Sequence, residues 1–272
     1  MAGTRARWEV VYDDLRAQID QGKLAPGDRI PAELDLAEQF GFSRATVRTA
    51  ITRLEQDGLV TAGAGSLGRQ VRRRELLSWN LTRFELGAYA DDPVNLVDQW
   101  EADAQSEGWT TRQVVHSVVE LAAPAQVAQY LDCPVGTRLV RRRRLRYVSR
   151  GPVHDRLAMI ADTWTPVKIA RKKIKGVAPL MQEENVVYPG GIYRALGFNQ
   201  VRYEDELQVR MPSPDEADLL RMEPGTPVSQ HARVGIDEEG QRVRVLISTA
   251  AGDLVQMRYT LDVPATRPES EI

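Results

Sequence analysis

The sequence predicts an α+β chain in two parts: a small helical domain closed by a strand hairpin, then a larger domain with a mainly antiparallel sheet and helices on one side. Three observations carry this reading. Residues 1–74 hold three helix signatures separated by short Gly/Pro turns, followed by a Gly-rich stretch flanked by two short apolar pairs. The rest of the chain contains a near-repeat of helix, strand, tight turn and strand. A length of 272 residues is enough for about two hydrophobic cores.

The first helix is expected at Trp8–Gln21, where Val11, Leu15 and Ile19 keep one face apolar and Gly22 follows. Pro26-Gly27 then marks a turn, and Pro31 is placed to open the next helix at its first position. In that second helix Leu34, Leu36, Ala37 and Phe40 form the apolar face, and Gly41 stops it. The third helix has Ser43 as N-cap, an apolar face of Val47, Ala50, Ile51 and Leu54, and Gly58 at its end. Arg48, Thr49 and Thr52 lie on its other face, with Arg44 and Thr46 at the exposed first turn. Two helices joined by a short turn, the second with Arg and Thr at its N-terminal end, have the spacing of a helix-turn-helix and suit a DNA major groove. Leu59-Val60 and Gln70-Val71 predict short strands around a glycine tip. That tip would let a sugar-phosphate backbone approach, with Arg69 nearby. Arg72-Arg73-Arg74 either touches phosphate or begins a solvated linker, and residues 75–92 are the expected linker, with Trp79 and Phe84 packing on something.

The repeat is expected within a second domain spanning 93–265, ahead of a tail at 266–272. Its first copy runs from Ala123-Pro124 through a helix to Leu131, Gly136, a strand to Arg144 and a turn at Gly151. Its second runs from Ser213-Pro214 through a helix to Leu220, Gly225, a strand to Arg233 and a turn at Gly240. The first Gly and the Arg are 8 apart in both copies, and the two glycines 15 apart. In the strand LVRRRRLRYV, alternation puts Val140, Arg142, Arg144, Arg146 and Val148 on one face, and Leu139, Arg141, Arg143, Leu145 and Tyr147 on the other. The second face has more apolar bulk and is expected against the helices, leaving the first on the open side of the sheet. Arg233 and Arg244 are expected on that open side too. Clustered arginines without acids repel one another and suit an anion, which Arg binds bidentately. The alternative is that they are solvated or pair with Glu204, Asp205 and Glu206.

Composition narrows the function classes. The net charge is −2, with 12 Lys/Arg against 10 Asp/Glu in residues 1–74 and 24 against 28 in the rest, too weak an asymmetry to indicate nucleic acid by itself. The one cysteine, Cys133, rules out an intramolecular disulfide and fits a reducing cytoplasm. His116, His154 and His231 lack ligand spacing, so no metal or other cofactor is expected. Neither a signal peptide nor an apolar run of spanning length is present, so no membrane association is expected. No nucleophile–base set is visible either: Ser248 and Thr249 lack a neighbouring His in sequence, and Lys168, Lys172, Lys173 and Lys175 form a charge run of the kind that is usually solvated. An enzyme is therefore not expected.

PGDRIPAE, SRATVRTAITRLEQDGLV and GAGSLGRQV resemble the winged helix-turn-helix domain of the GntR family of bacterial transcription regulators, over residues 8–74. The resemblance implies DNA contacts from Ser43, Arg44, Thr46, Arg48 and Thr49, and from the wing residues Gly65, Gly68 and Arg69. Leu34 stands where many members carry an Arg, and the wing is one residue longer than usual. RRRLRYVSRGPV, TWTP, PSPDEADLLRMEPGTPV and GQRVRVLISTAAGDLVQMRYTL are similar to the ligand-sensing UTRA domain of the HutC subfamily, whose fold is like chorismate lyase, over roughly 90–265. There the resemblance implies effector contacts from Arg144, Arg146 and Thr163. Ala161 and Arg244 stand where relatives often have Glu, and Leu254 where they often have Arg; the variant is of an actinobacterial type. The implied protein is a cytoplasmic homodimer that represses from a near-palindromic double-stranded operator. It would release that operator on binding a small anionic effector at Arg144, Arg146, Thr163, Arg233 and Arg244. The alternatives are an enzyme retaining chorismate-lyase-like catalysis in the second domain, and a DNA-binding protein with no effector.

Overall fold

A computed structural model describes residues 6–61, 68–72, 76–82, 98–151, 153–222 and 224–261. The chain forms two compact units, Met1–Glu75 and Leu76–Ile272.

The first unit contains α1 (Arg7–Asp20), α2 (Glu33–Phe40) and α3 (Arg44–Gln56). Its core is built by the expected faces: Val11 and Leu15 from α1, Leu36 from α2, and Val47, Ala50, Ile51 and Leu54 from α3 are all buried together. Ser43 caps α3 by accepting the Thr46 N–H at 3.2 Å. Gly41, at φ 65°, ends α2 in the left-handed conformation that only glycine adopts at low cost. Two expectations about α2 are corrected. Its N-cap is Ala32, so Pro31 precedes the helix instead of opening it. Leu34 is 52 % exposed and stays outside the core that the other apolar residues of α2 join. Behind α3, Val60 bridges Val71 and Arg29 bridges Gln70, which makes the base of the wing. The wing tip, Gly65 included, lies outside the described residues.

The second unit is organised by a six-stranded antiparallel sheet in the order β2-β3-β4-β7-β6-β5. The strands are β2 (Thr110–Ala122), β3 (Arg138–Arg150), β4 (Val153–Pro166), β5 (Gln200–Arg210), β6 (Val228–Asp237) and β7 (Arg242–Ala251). The repeat is present and larger than its sequence signature. Each copy is strand–helix–strand–strand: β2, α5 (Ala125–Tyr130), β3 and β4, then β5, α8 (Pro214–Leu220), β6 and β7. The offset that carries Gly136 onto Gly225 also carries Ile160 onto Thr249, and these two are direct partners across β4 and β7. The pseudo-twofold axis therefore passes between them and relates the halves of the sheet.

On one sheet face Leu139 and Trp164 pack with Val127 and Ala128 of α5, and Leu145 and Ile160 pack with Leu220 of α8. This is the face expected to meet the helices. The opposite face is not open, which corrects the second half of that expectation. At one end it is covered by α4 (Gln99–Ser106) and a two-stranded parallel ribbon of β1 (Leu77–Asn80) and β8 (Val255–Arg258). Trp79, Trp100 and Trp109 there bury Val148, Met159, Ala161 and Ala250. At the other end α6 (Val167–Ala170), the 3-10 turn Pro179–Met181 and α7 (Ile192–Ala195) cover Val140 and Val243. Residues 77–80, expected within a linker, are thus a strand of the second unit with Trp79 buried as an anchor. The rest of the expected linker (83–92), Phe84 included, the expected domain start at 93 and the tail at 266–272 fall outside the described residues. Among the described residues no helix is long and apolar enough to cross a membrane.

Candidate functional sites

In the first unit, α3 presents its N-terminal turn to solvent. Ser43 and Arg44 are exposed, and Thr46 is half-buried with its hydroxyl 2.9 Å from that of Ser43. Thr49 donates its hydroxyl to the Ala45 carbonyl at 3.0 Å. Arg48 remains 61 % exposed, yet it is not loose: its Nε and Nη2 donate to the Glu33 carboxylate at 3.2 and 2.8 Å. Arg69 at the base of the wing donates to Glu33 at 3.0 Å and also pairs with Glu55. Glu33 therefore ties together α2, α3 and the wing, and the two guanidiniums, Arg48 first, hold its carboxyl below the ordinary range against the effect of burial. Gly68 sits at φ 67°, and a Cβ there would come within 3.3 Å of the Arg29 side chain. A groove of about 450 Å³ runs beside these groups, lined in part by Arg29, Leu34, Arg44 and Gly68. Sequence reasoning missed Glu33; the signal was an acid in the first turn of α2, with no spacing rule to join it to arginines 15 and 36 positions away.

In the second unit, the strand registers place Arg142, Arg144 and Arg146 on the same face as Thr163, Arg233 and Arg244. They lie between the tryptophan-rich end and the α6–α7 end, where the two apolar clusters leave a polar band. Arg146 is fully buried, donates to Gln113 Oε1 at 2.7 Å and lies over the Trp100 ring. Asp98, the N-cap of α4, approaches Arg144 at 3.5 Å and Arg146 at 3.7 Å. Burial alone would raise its pKa, but Arg146 and then Arg144 outweigh that and hold it down. Arg244 donates to Gln200 Oε1 at 2.9 Å and lies over the rings of Tyr193 and Tyr203. Thr165 meets the buried Tyr193 hydroxyl at 2.7 Å.

Arg233 forms the acid pair held open as the alternative, a two-point contact with Asp205 at 2.6 Å on both oxygens. Its charge is thereby matched. Glu204 and Glu206 are engaged elsewhere, with Arg242 and Tyr130. Arg142 stands differently. It is 7 % exposed, donates to the Glu184 carbonyl, and has no carboxylate within ion-pair distance among the described residues. Burial, with Arg144 adding to it, presses its guanidinium down to about 10. Arginine stays protonated at neutral pH regardless, so the charge remains buried without a counter-ion. Alternation along β3 had placed Arg142 on this face, but only Arg144 and Arg146 were singled out.

The fold also brings together what sequence distance hid: Ser248 on β7 is the direct partner of His231 on β6, whose Nε2 is 3.1 Å from Asp205. No hydrogen bond joins Ser248 to His231, and both are fully buried, with the Trp79 ring against the imidazole. Ser248 and His231 are thus closed off from solvent, while Asp205 is exposed.

Comparison with known proteins matches each unit to a family of domains. Residues 8–66 match the family described as bacterial regulatory proteins, gntR family, and residues 106–256 match the UTRA domain. An HTH-type transcriptional regulator of Streptomyces coelicolor is 28 % identical over 97 % of this chain and 96 % of its own length. The mannosyl-D-glycerate transport/metabolism system repressor MngR of Escherichia coli K12 is 28 % identical over 61 % of each chain. The crystal structure of a GntR-family transcriptional regulator superposes with a TM-score of 0.62 at 21 % identity, covering 94 % of this chain and 98 % of that one.

Proposed function

The chain belongs to the GntR family of bacterial regulatory proteins that carry a UTRA domain, and from that premise we propose a ligand-released repressor acting as a homodimer on a near-palindromic operator. It is a transcription regulator with a DNA-binding helix-turn-helix and an effector-binding domain, not an enzyme. Repression is supported by the similarity to a relative that is itself a repressor. On DNA, Arg44 and Arg48 reach base edges or phosphate from the N-terminal half of α3, with Ser43, Thr46 and Thr49 alongside. Gly65, Gly68 and Arg69 bring the wing to the backbone, Arg69 chiefly by holding the wing against α3. The protein works in the cytoplasm.

The effector is a small anion, a carboxylate or phosphate, taken up by Arg142 and Arg144 with Arg146, Thr163 and Arg244 around it. The observation that carries this is the buried Arg142 guanidinium with no acid within ion-pair distance among the described residues: an anion there recovers the electrostatic energy that burial costs. Arg233 is assigned a supporting place, since Asp205 already neutralises it.

A thermal-shift screen with small carboxylates and phosphates tests the reading. A hit is expected to stabilise the parent and to release its operator, while Arg142→Gln keeps operator binding and loses the response. A stabilising ligand that is uncharged and binds Arg142→Gln as tightly as the parent would overturn it.

A further inference from the structure

The groove beside α3 holds one side chain that the fold does not use. Its charged lining is Arg29, Arg44, Arg69 and Glu33, and Glu33 is already committed to Arg48 and Arg69. Among these charges stands Leu34, 52 % exposed, while Leu36, Ala37 and Phe40 supply the share of α2 in the core. Among the described residues of the first unit the other exposed large apolar side chain is Val10 on α1, at 37 % and outside the groove. Leu34 is also held in place. Its neighbour Glu33 ties the first turn of α2 to Arg48 on α3 and to Arg69 at the base of the wing, with hydrogen bonds of 2.8 and 3.0 Å. Leu34 and the exposed Arg44 at the N-terminal turn of α3 therefore share one groove whose walls are fixed to each other.

We propose that Leu34 is a specificity-determining residue: it packs on the C5-methyl group of a thymine in each operator half-site, next to the base or phosphate that Arg44 contacts. This rests on the DNA reading above and adds a base preference to it. The positive lining of the groove selects a polyanion as its occupant. Leu34 can bond neither to a phosphate nor to a polar base edge. The thymine methyl is the one apolar group that the four base pairs present in the major groove. Packing there takes both the methyl and the leucine side chain out of water, and burying one such carbon is worth about 4-fold in affinity. A cytosine at that position would set an amino donor against a side chain that cannot accept it.

A duplex that the full-length protein selects from a randomised pool is the probe. Each thymine of one half-site is replaced in turn by deoxyuridine, which lacks the methyl and keeps every hydrogen-bonding group. At one position the replacement is expected to weaken the parent about 3–5-fold by fluorescence anisotropy. Leu34→Ala, with an unchanged circular dichroism spectrum, is expected to bind the thymine duplex more weakly than the parent and to be indifferent to that replacement. Arg44→Ala, also weakened, should still lose about as much as the parent does. If the parent enriches no sequence, the DNA reading itself falls. If it enriches one whose half-sites lack thymine, or if no deoxyuridine weakens the parent, that reading stands and the role of Leu34 is overturned. A methyl cost that persists in full in Leu34→Ala belongs to another side chain and overturns it as well. So does an equal loss of methyl sensitivity in Arg44→Ala, since the effect would then not be local to Leu34.

Discussion

Arg48 and Asp205 show how much a single residue's role depends on a partner that the sequence does not announce. Arg48 was expected to face DNA from its place on α3; its tie to Glu33 was not foreseen, because the contact crosses from one helix to another. Glu33 already fixes the Arg48 side chain, which would lower the entropy lost if Arg48 meets DNA as proposed. Replacing Arg44 or Arg48 by Ala is expected to weaken specific operator binding by about 1–3 kcal/mol where a base contact is lost, and to reduce the salt slope by about one where a phosphate contact is lost. Titrations at several salt concentrations separate the two, and unchanged binding in both variants would remove α3 from the DNA interface. Asp205 makes a prediction about pH. Burial opposes its ionisation, but Arg233 and then His231 outweigh burial and hold its pKa far below the ordinary carboxylate range. The folded value lies below the unfolded one, so the stabilisation is complete above about pH 4–5 and is lost as pH falls towards the folded value. Asp205→Asn should cost about 2–3 kcal/mol at pH 7, since it strands the buried Arg233, and should flatten the acid limb of the stability curve of the second unit. Denaturant melts at pH 7 and at about pH 3, below the unfolded carboxylate value, check this, and an equal cost at both would contradict it.

At the scale of elements, the sequence was most legible where one pattern sufficed. The cap, apolar face and terminal glycine of α3 lie within a few positions of one another, and so do the helix and strand signals of each repeat copy. β1 was not legible. Four residues that pair in parallel with Val255–Arg258 have their partners far along the chain, and the alternation of buried Leu77 and Trp79 with Ser78 and Asn80 is too short to mark a strand. The band of arginines was legible as a face of β3, but not as buried, because what covers it comes from β1, α4 and α7. Leu34 misled for the converse reason: helical spacing gives a face, not the neighbour that would cover it. The turn between β7 and β8 has a tight constraint of the same long-range kind. A Cβ on Gly252 would lie 2.4 Å from the Pro227 carbonyl oxygen, which belongs to the backbone entering β6. Neither segment can yield by a side-chain rotation, so Gly252→Ala should destabilise the second unit by about 1–3 kcal/mol. Gly240→Ala, at a turn with open space around it and φ of 79°, should cost only about 1 kcal/mol. Chemical denaturation of the two variants side by side measures the difference, and equal costs would mean that the approach to Pro227 relaxes freely.

At the scale of the whole chain, the two units have separate cores. Trp8, Val11, Leu15, Leu36 and the apolar face of α3 form the first, a cluster made, among the described residues, within Met1–Glu75. Residues 1–75 are therefore expected to fold alone. They are not expected to bind an operator well. One recognition helix and one wing supply only a few contacts, and affinity for a two-half-site operator comes from holding a second module at a fixed spacing. In the proposed homodimer, tethering through the second unit would raise the effective concentration of the second module, worth about 10²–10⁴-fold in affinity without any new DNA contact. Residues 1–75 should then be monomeric, keep the parent's helical spectrum, and bind a single half-site about as well as the full chain does. On the complete operator the full chain should win by that factor at fixed salt. Fluorescence anisotropy with half-site and full-site duplexes reads both comparisons. If the isolated unit matched the full chain on the complete operator, tethering would contribute nothing, and the dimer would have to serve the effector response instead of DNA recognition.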